Sequence, residues 1–289
     1  VELGRLLYFD KRLSSDGTVA CASCHDPRHA FTDGKPFSTG VRGQVGGRSA
    51  PTVINRAYGA LHFWDGRAPN LEEQAKGPIA NPIEMDLPHD ECVKRLRSIS
   101  GYRERFRQVF GTDEITIDHI AKAIAAFERT ILSGNSPYDR YKAGDRRALT
   151  PEQVRGMQVF FEKAQCQSCH FGFNFTDNQF ANLGIGMDKP NPDLGRYLVT
   201  RQERDRGAFK TPTLREIEHT APYMHDGRFK TLEEVVEFYD KGGIKNPWLD
   251  ERIKPLNLTP QEKRDLVAFL RALSGTGWQQ IQPPTEFPQ

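Results

Sequence analysis

The chain has 289 residues, 37% of them hydrophobic and 27% charged, with a formal net charge of +2. That length supports one large or two modest domains, each with its own core. Lys and Arg are interspersed with Asp and Glu, so there is no reason to expect a nucleic-acid partner, and no apolar run reaches membrane-spanning length.

The opening residues, VELGRLLYFD, lack a basic start followed by a long apolar core. An export signal is therefore expected to have been removed or to lie outside this sequence. The next segment contains Cys21-Ala-Ser-Cys24-His25, and the second half repeats the pattern as Cys166-Gln-Ser-Cys169-His170. In C-x-x-C-H two thiols can form thioethers to the vinyl groups of one porphyrin, and the adjacent imidazole can then reach the iron. A single copy could be a redox dithiol or half a zinc site. Two copies, with no further cysteines placed to complete zinc ligation, leave those readings little room. Two covalently bound c-type haems are expected, with His25 and His170 as axial ligands. Covalent attachment implies assembly in an exported compartment, most simply a periplasm. The fifth cysteine, Cys92, reads as a buried thiol in a helical stretch.

Several patterns recur in the same order. Phe31-Thr32-Asp33 follows the first haem motif and Phe175-Thr176-Asp177 the second. Trp64-Asp65-Gly66-Arg67 with Leu71-Glu72-Glu73 is matched by His225-Asp226-Gly227-Arg228 with Leu232-Glu233-Glu234. Ala126-Phe127-Glu128-Arg129 is echoed by Ala268-Phe269-Leu270-Arg271. The chain thus reads as a tandem pair of mainly α, cytochrome c-like haem domains, residues 1–140 and 141–289.

Helical spacing of Ile120, Ile124, Phe127 and Ile131 predicts a helix from His119 to Leu132. Thr150-Pro151-Glu152-Gln153 and Thr259-Pro260-Gln261-Glu262 combine an N-cap threonine, a first-turn proline and a side chain able to close a capping box. Thr231-Leu232-Glu233-Glu234 opens another helix, carrying Val235, Val236 and Tyr239. The long stretches 33–60 and 171–212 are expected to be ordered loops around cofactors.

The opposite face of each iron decides the chemistry: a strong sixth ligand blocks peroxide and a vacant face admits it. Trp64 and His225 occupy equivalent positions in the two Asp-Gly-Arg loops. Trp64 is either an electron relay between haems or an aromatic core residue. His225 could hold a haem propionate, line the second pocket, or be a core histidine.

These motifs, through FWDGRAPNLEEQAKGPIANPIEM and FKTPTLREIEHTAPYMHDGRFKTLEEVVEFYDKGG, resemble bacterial di-haem cytochrome c peroxidases, and more narrowly their MauG-like branch. The resemblance covers nearly the whole chain and implies reduction of hydrogen peroxide at a peroxidatic haem in the N-terminal domain, with the haem of the C-terminal domain as the electron relay. It assigns the inter-haem tryptophan to Trp64, the distal glutamine and proline to Gln74 and Pro78, and the catalytic glutamate to Glu84. A carboxylate over an open iron can carry a proton between peroxide oxygens. A solvated surface glutamate is the alternative.

Two departures from other peroxidases of the family stand out. A loop histidine that caps the peroxidatic iron corresponds to Val41, and FSTGVRGQVGGRSAP has no histidine, leaving only His29 or His62 to swing in. The usual methionine ligand of the second haem corresponds to Tyr239, as in the MauG-like branch, with Met187 and Met224 as spare methionines. A phenolate stabilises oxidised iron, so the resemblance implies that oxidising equivalents can be shared by both haems to oxidise a protein or aromatic donor. A small periplasmic cytochrome or copper protein as donor, or a non-enzymatic electron carrier, are the rivals. The family also implies a calcium ion at positions matching Ser49, Thr220 and Pro222, with Asn55 nearby. A homodimer is compatible with the sequence, which does not set the oligomeric state.

Overall fold

A computed structural model describes residues 1–289 and is mainly helical. The first half contains α1 (Glu2–Phe9), α2 (Cys21–Cys24), α3 (Leu71–Ala80), α4 (His89–Ser98), α5 (Ser100–Phe110) and α6 (Ile117–Glu128). The second contains α7 (Pro137–Lys142), α8 (Pro151–Gln158), α9 (Tyr197–Thr200), α10 (Leu232–Asp240) and α11 (Pro260–Arg271). A π turn over Val159–Lys163 continues α8. Two short strands, β1 (Phe180–Ala181) and β2 (Phe209–Lys210), pair antiparallel with Phe180 opposite Lys210. No helix is long and apolar enough to cross a membrane.

Each half is organised by one close helix crossing. At Gly4 of α1, a Cβ would lie 1.8 Å from the Ala123 carbonyl oxygen and 2.9 Å from Phe127 Cβ of α6. At Gly156 of α8, it would lie 1.8 Å from the Asp265 carbonyl oxygen and 2.9 Å from Phe269 Cβ of α11. Four residues after each glycine an aromatic ring meets its partner edge-on, Tyr8 on Phe127 at 5.1 Å and Phe160 on Phe269 at 5.2 Å. Gly156→Ala is expected to destabilise the protein by about 3 kcal/mol, the upper end of ordinary overpacking, because the obstacle is backbone. A lowered denaturant midpoint at unchanged haem content checks it.

The capping boxes at Thr150, Thr231 and Thr259 all form, closed by Gln153, Glu234 and Glu262. The helix expected over 119–132 is shifted. It starts at Ile117, because Thr116 accepts from the His119 amide, and ends at Glu128. Beyond Glu128 the chain turns toward Asn55, whose amide donates to the Ile131 carbonyl and whose Oδ1 accepts from the Ser133 amide, both at 2.9 Å.

The first apolar core gathers 27 buried residues and the second 13; a large cavity takes up the interior of the second half. Residues at the C-terminus do not stay with the second core. Trp278 packs edge-on against Phe31, and the Gln289 carbonyl accepts from the Gly101 amide, so the tail straps across the first half. The halves are further tied by Arg48, which bridges Asp65 and Asp193.

Candidate active site

The two C-x-x-C-H motifs end in the same geometry. His25 Nδ1 lies 3.2 Å from the Phe31 carbonyl oxygen and His170 Nδ1 lies 3.0 Å from that of Phe175. A carbonyl only accepts, so each Nδ1 carries the proton and each Nε2 keeps its lone pair for a metal. Phe31 and Phe175 adopt left-handed conformations, φ 58° and 50°, which turn these carbonyls back onto the rings. Burial also holds both imidazoles below their ordinary pKa, in the neutral form a metal requires.

The large cavity is built on the second motif. Cys166, Cys169 and His170 line it together with Tyr239, Val235, Val236, Leu266 and Leu270. Tyr239 is the eighth residue of α10 and faces the cavity; burial, with Cys166 and Cys169 close by, pushes its phenol well above the ordinary range. Apolar walls, two thiols beside an imidazole and a phenolic oxygen from α10 are a donor set that fits a covalently attached haem. Met224 also lines the cavity, whereas Met187 Sδ packs against Gly207.

Above the first motif, the segment after α3 folds back on that helix. The Met85 amide donates to the Pro78 carbonyl, and Glu84 Oε2 accepts from Asn81 Nδ2 at 2.8 Å. Gly40 fits against the carbonyls of Ile83 and Glu84, where a Cβ would come within 1.9 Å and 2.6 Å. Val41 is completely buried, and its amide donates to the Glu84 carbonyl. Glu84 is partly buried, and burial raises its carboxyl pKa against the opposing influence of Asn81 and the Arg67 guanidinium. Its charge reaches the Cys24 thiol, which burial pushes up to about 11. Glu84 is therefore partly shielded rather than in open solvent. Gln74 and Pro78 share one face of α3, one turn apart, both partly buried.

Helices α3 and α10 are equivalent elements with opposite endings. Each begins at a leucine, Leu71 or Leu232, after a cap (Asn70 or Thr231) that accepts from the third helical amide. Counting from those leucines, Pro78 and Tyr239 are both the eighth residue, and Gln74 corresponds to Val235. One fold position thus carries a phenol in the second half and, in the first, a ring with no donor.

Trp64 and His225, equivalent in sequence, meet in space with ring centroids 6.4 Å apart. Trp64 Nε1 donates to the Ser49 carbonyl at 2.8 Å, and the Ser49 amide donates to the His225 carbonyl at 2.7 Å. His225 stacks on Phe209 at 3.5 Å, and its burial lowers it to about 4. Both rings line the cavity of the second motif. Thr220 and Pro222 lie on its rim with Ser49. The Asn55 side chain bonds Ser133 twice and Asn174 once. His62 is buried with Nδ1 3.4 Å from Arg56, which keeps it out of the site, and His29 is exposed.

Sequence reasoning passed over Asn81, Arg67, Phe209 and the cations Arg56 and Lys210. Lys210-Thr211-Pro212-Thr213 parallels Ser49-Ala50-Pro51-Thr52, and that parallel was the available signal.

Paired helix crossings, two haem-attachment motifs and one phenol-faced cavity define a di-haem c-type oxidoreductase. A family model described as di-haem cytochrome c peroxidase matches residues 1–147. The methylamine utilization protein MauG of Methylorubrum extorquens is 43% identical over 276 residues, spanning 94% of this chain and 77% of that protein. The cytochrome c551 peroxidase of Nitrosomonas europaea is 41% identical over 276 residues, spanning 95% and 79%. The crystal structure of a MauG-like protein associated with microbial copper homeostasis superposes with a TM-score of 0.89 at 36% identity, over 96% of this chain and 90% of that one. The chain belongs to the di-haem cytochrome c peroxidase family, in its MauG-like branch, and is a hydrogen-peroxide-dependent oxidoreductase.

Proposed function

We propose that peroxide is reduced at the centre built on His25, and that electrons reach it through Trp64 from the centre built on His170 and Tyr239. The observation that carries this reading is the Pro78–Tyr239 equivalence, which leaves one centre open and closes the other. Bound haem supplies the redox chemistry: one peroxide takes two electrons and two protons and leaves as two waters.

The protein's own groups handle the protons. Peroxide enters beneath Glu84, whose carboxylate accepts a proton from the near oxygen and returns it to the far one as the O–O bond breaks. Asn81 fixes that carboxylate, and Gln74 offers a polar tip with no competing bond in the chain. Pro78 and Val41 bring no ligand that could occupy the entry side. Trp64 lies against His225 at the rim of the second cavity, a position suited to relaying charge.

The two haem-bearing units correspond to residues 1–140 and 141–289, with the C-terminal tail strapped back onto the first. Covalent attachment of haem supports a periplasmic location. The donor is a periplasmic redox protein or a protein or aromatic substrate. Any calcium ion would rest on Ser49 Oγ and the carbonyls of Thr220 and Pro222, all neutral oxygens, and would be held weakly.

Mixing the fully oxidised enzyme with peroxide in a stopped-flow spectrometer tests the open centre. Spectral change without prior reduction is expected. No reaction until one electron has been added would show that a ligand caps the first centre.

A further inference from the structure

Two cations face the same cavity as Tyr239 and His170, Lys210 buried and Arg56 half-buried, and neither forms an ion pair; the one carboxyl whose field reaches Arg56, that of Glu128, is buried, which pushes its pKa up to about 8. Lys210 is 7% exposed, its ammonium makes no hydrogen bond or ion pair, and it lines the cavity. The one charged group whose field reaches it is Arg56, another cation, and burial and that repulsion both favour its neutral form. Arg56 lines the same cavity and donates to the Leu61 carbonyl at 2.8 Å, with no carboxylate in ion-pair range. Their placement is fixed by backbone. Lys210 ends β2, and its amide donates to the Trp64 carbonyl at 2.8 Å, which ties it to the proposed relay.

Burying an unpaired ammonium beside a guanidinium is costly unless anions arrive to meet them. The other walls of this cavity are mostly apolar, so the anion must come with the occupant. Of the four cations lining the cavity, Arg252 is paired with Asp250 and Lys254 is exposed, which leaves Lys210 and Arg56 to match the two carboxylates of a haem in number and sign. We infer that Lys210 and Arg56 receive haem propionates at the wall shared with Trp64. This rests on the reading of two attached haems. It gives the wall a purpose: the charges that would otherwise crowd the relay are neutralised in place.

The cavity is built on the second motif, and a spectroelectrochemical titration of the holoprotein tells whether the propionates there belong to that haem or to the one on the first motif. Removing a cation favours the more positive, oxidised state. Lys210→Met is therefore expected to lower the reduction potential of the affected haem, with a tenfold change in its reduction equilibrium, about 59 mV for one electron. Lys210→Arg should restore it. Lys210→Gln gives the same reading if Lys210→Met does not fold. The spectrum that moves, phenol-ligated or open, identifies the haem. Haem content is counted in parallel by the pyridine haemochrome. Fewer than two haems in the unmodified chain would overturn the cofactor reading itself. Two haems with both potentials unmoved in Lys210→Gln and Arg56→Met would overturn the clamp alone.

Discussion

Glu84→Gln is expected to slow peroxide turnover by roughly 10²–10⁴-fold, the range for removal of a general acid–base group. Two attached haems and an unchanged oxidised spectrum should accompany that loss. Glutamine keeps the volume and can still hydrogen-bond Asn81, but it cannot shuttle a proton. The wild-type pH profile carries a second signature. Glu84 must be ionised to accept the first proton, and its burial raises the carboxyl pKa. Activity should therefore fall as pH drops, with a midpoint above the ordinary carboxylate range. Asn81 favours the charged form, so Asn81→Ala should move that midpoint to higher pH while a smaller rate loss marks it as a positioning residue. Full turnover in Glu84→Gln would remove the carboxylate from the reaction.

Replacing Tyr239 should change the second centre more than any other single substitution. In Tyr239→Met a thioether replaces the phenolate, and thioethers favour reduced iron. The reduction potential of that haem should rise by a substantial part of the roughly 0.8 V span that axial ligands command. Tyr239→Phe should leave that centre without a sixth ligand and make it reactive toward peroxide. An oxidised spectrum identical to wild type in both variants would show that Tyr239 is not bound. Met224, on the same cavity wall, would then be the next candidate.

Much of this architecture was legible in the sequence because its causes are local. The C-x-x-C-H pairs, the Thr-Pro capping boxes and the positions of α8, α10 and α11 depend on residues within a few places of one another, and all formed where expected. The boundary of α6 was read less well. Its end is set by Asn55, more than seventy residues upstream, which captures Ser133 and draws the chain out of the helix.

Sequence by itself determined the number of haem motifs, their proximal histidines, the helical class and the doubling of the chain. Tertiary structure decided what those parts face. It brought Trp64 onto His225, laid the C-terminal tail over the first core, and set Lys210 and Arg56 on one cavity without an ion pair. The physical reason is that periodicity and spacing record short-range geometry, whereas burial and charge compensation depend on surfaces that meet only when distant segments pack.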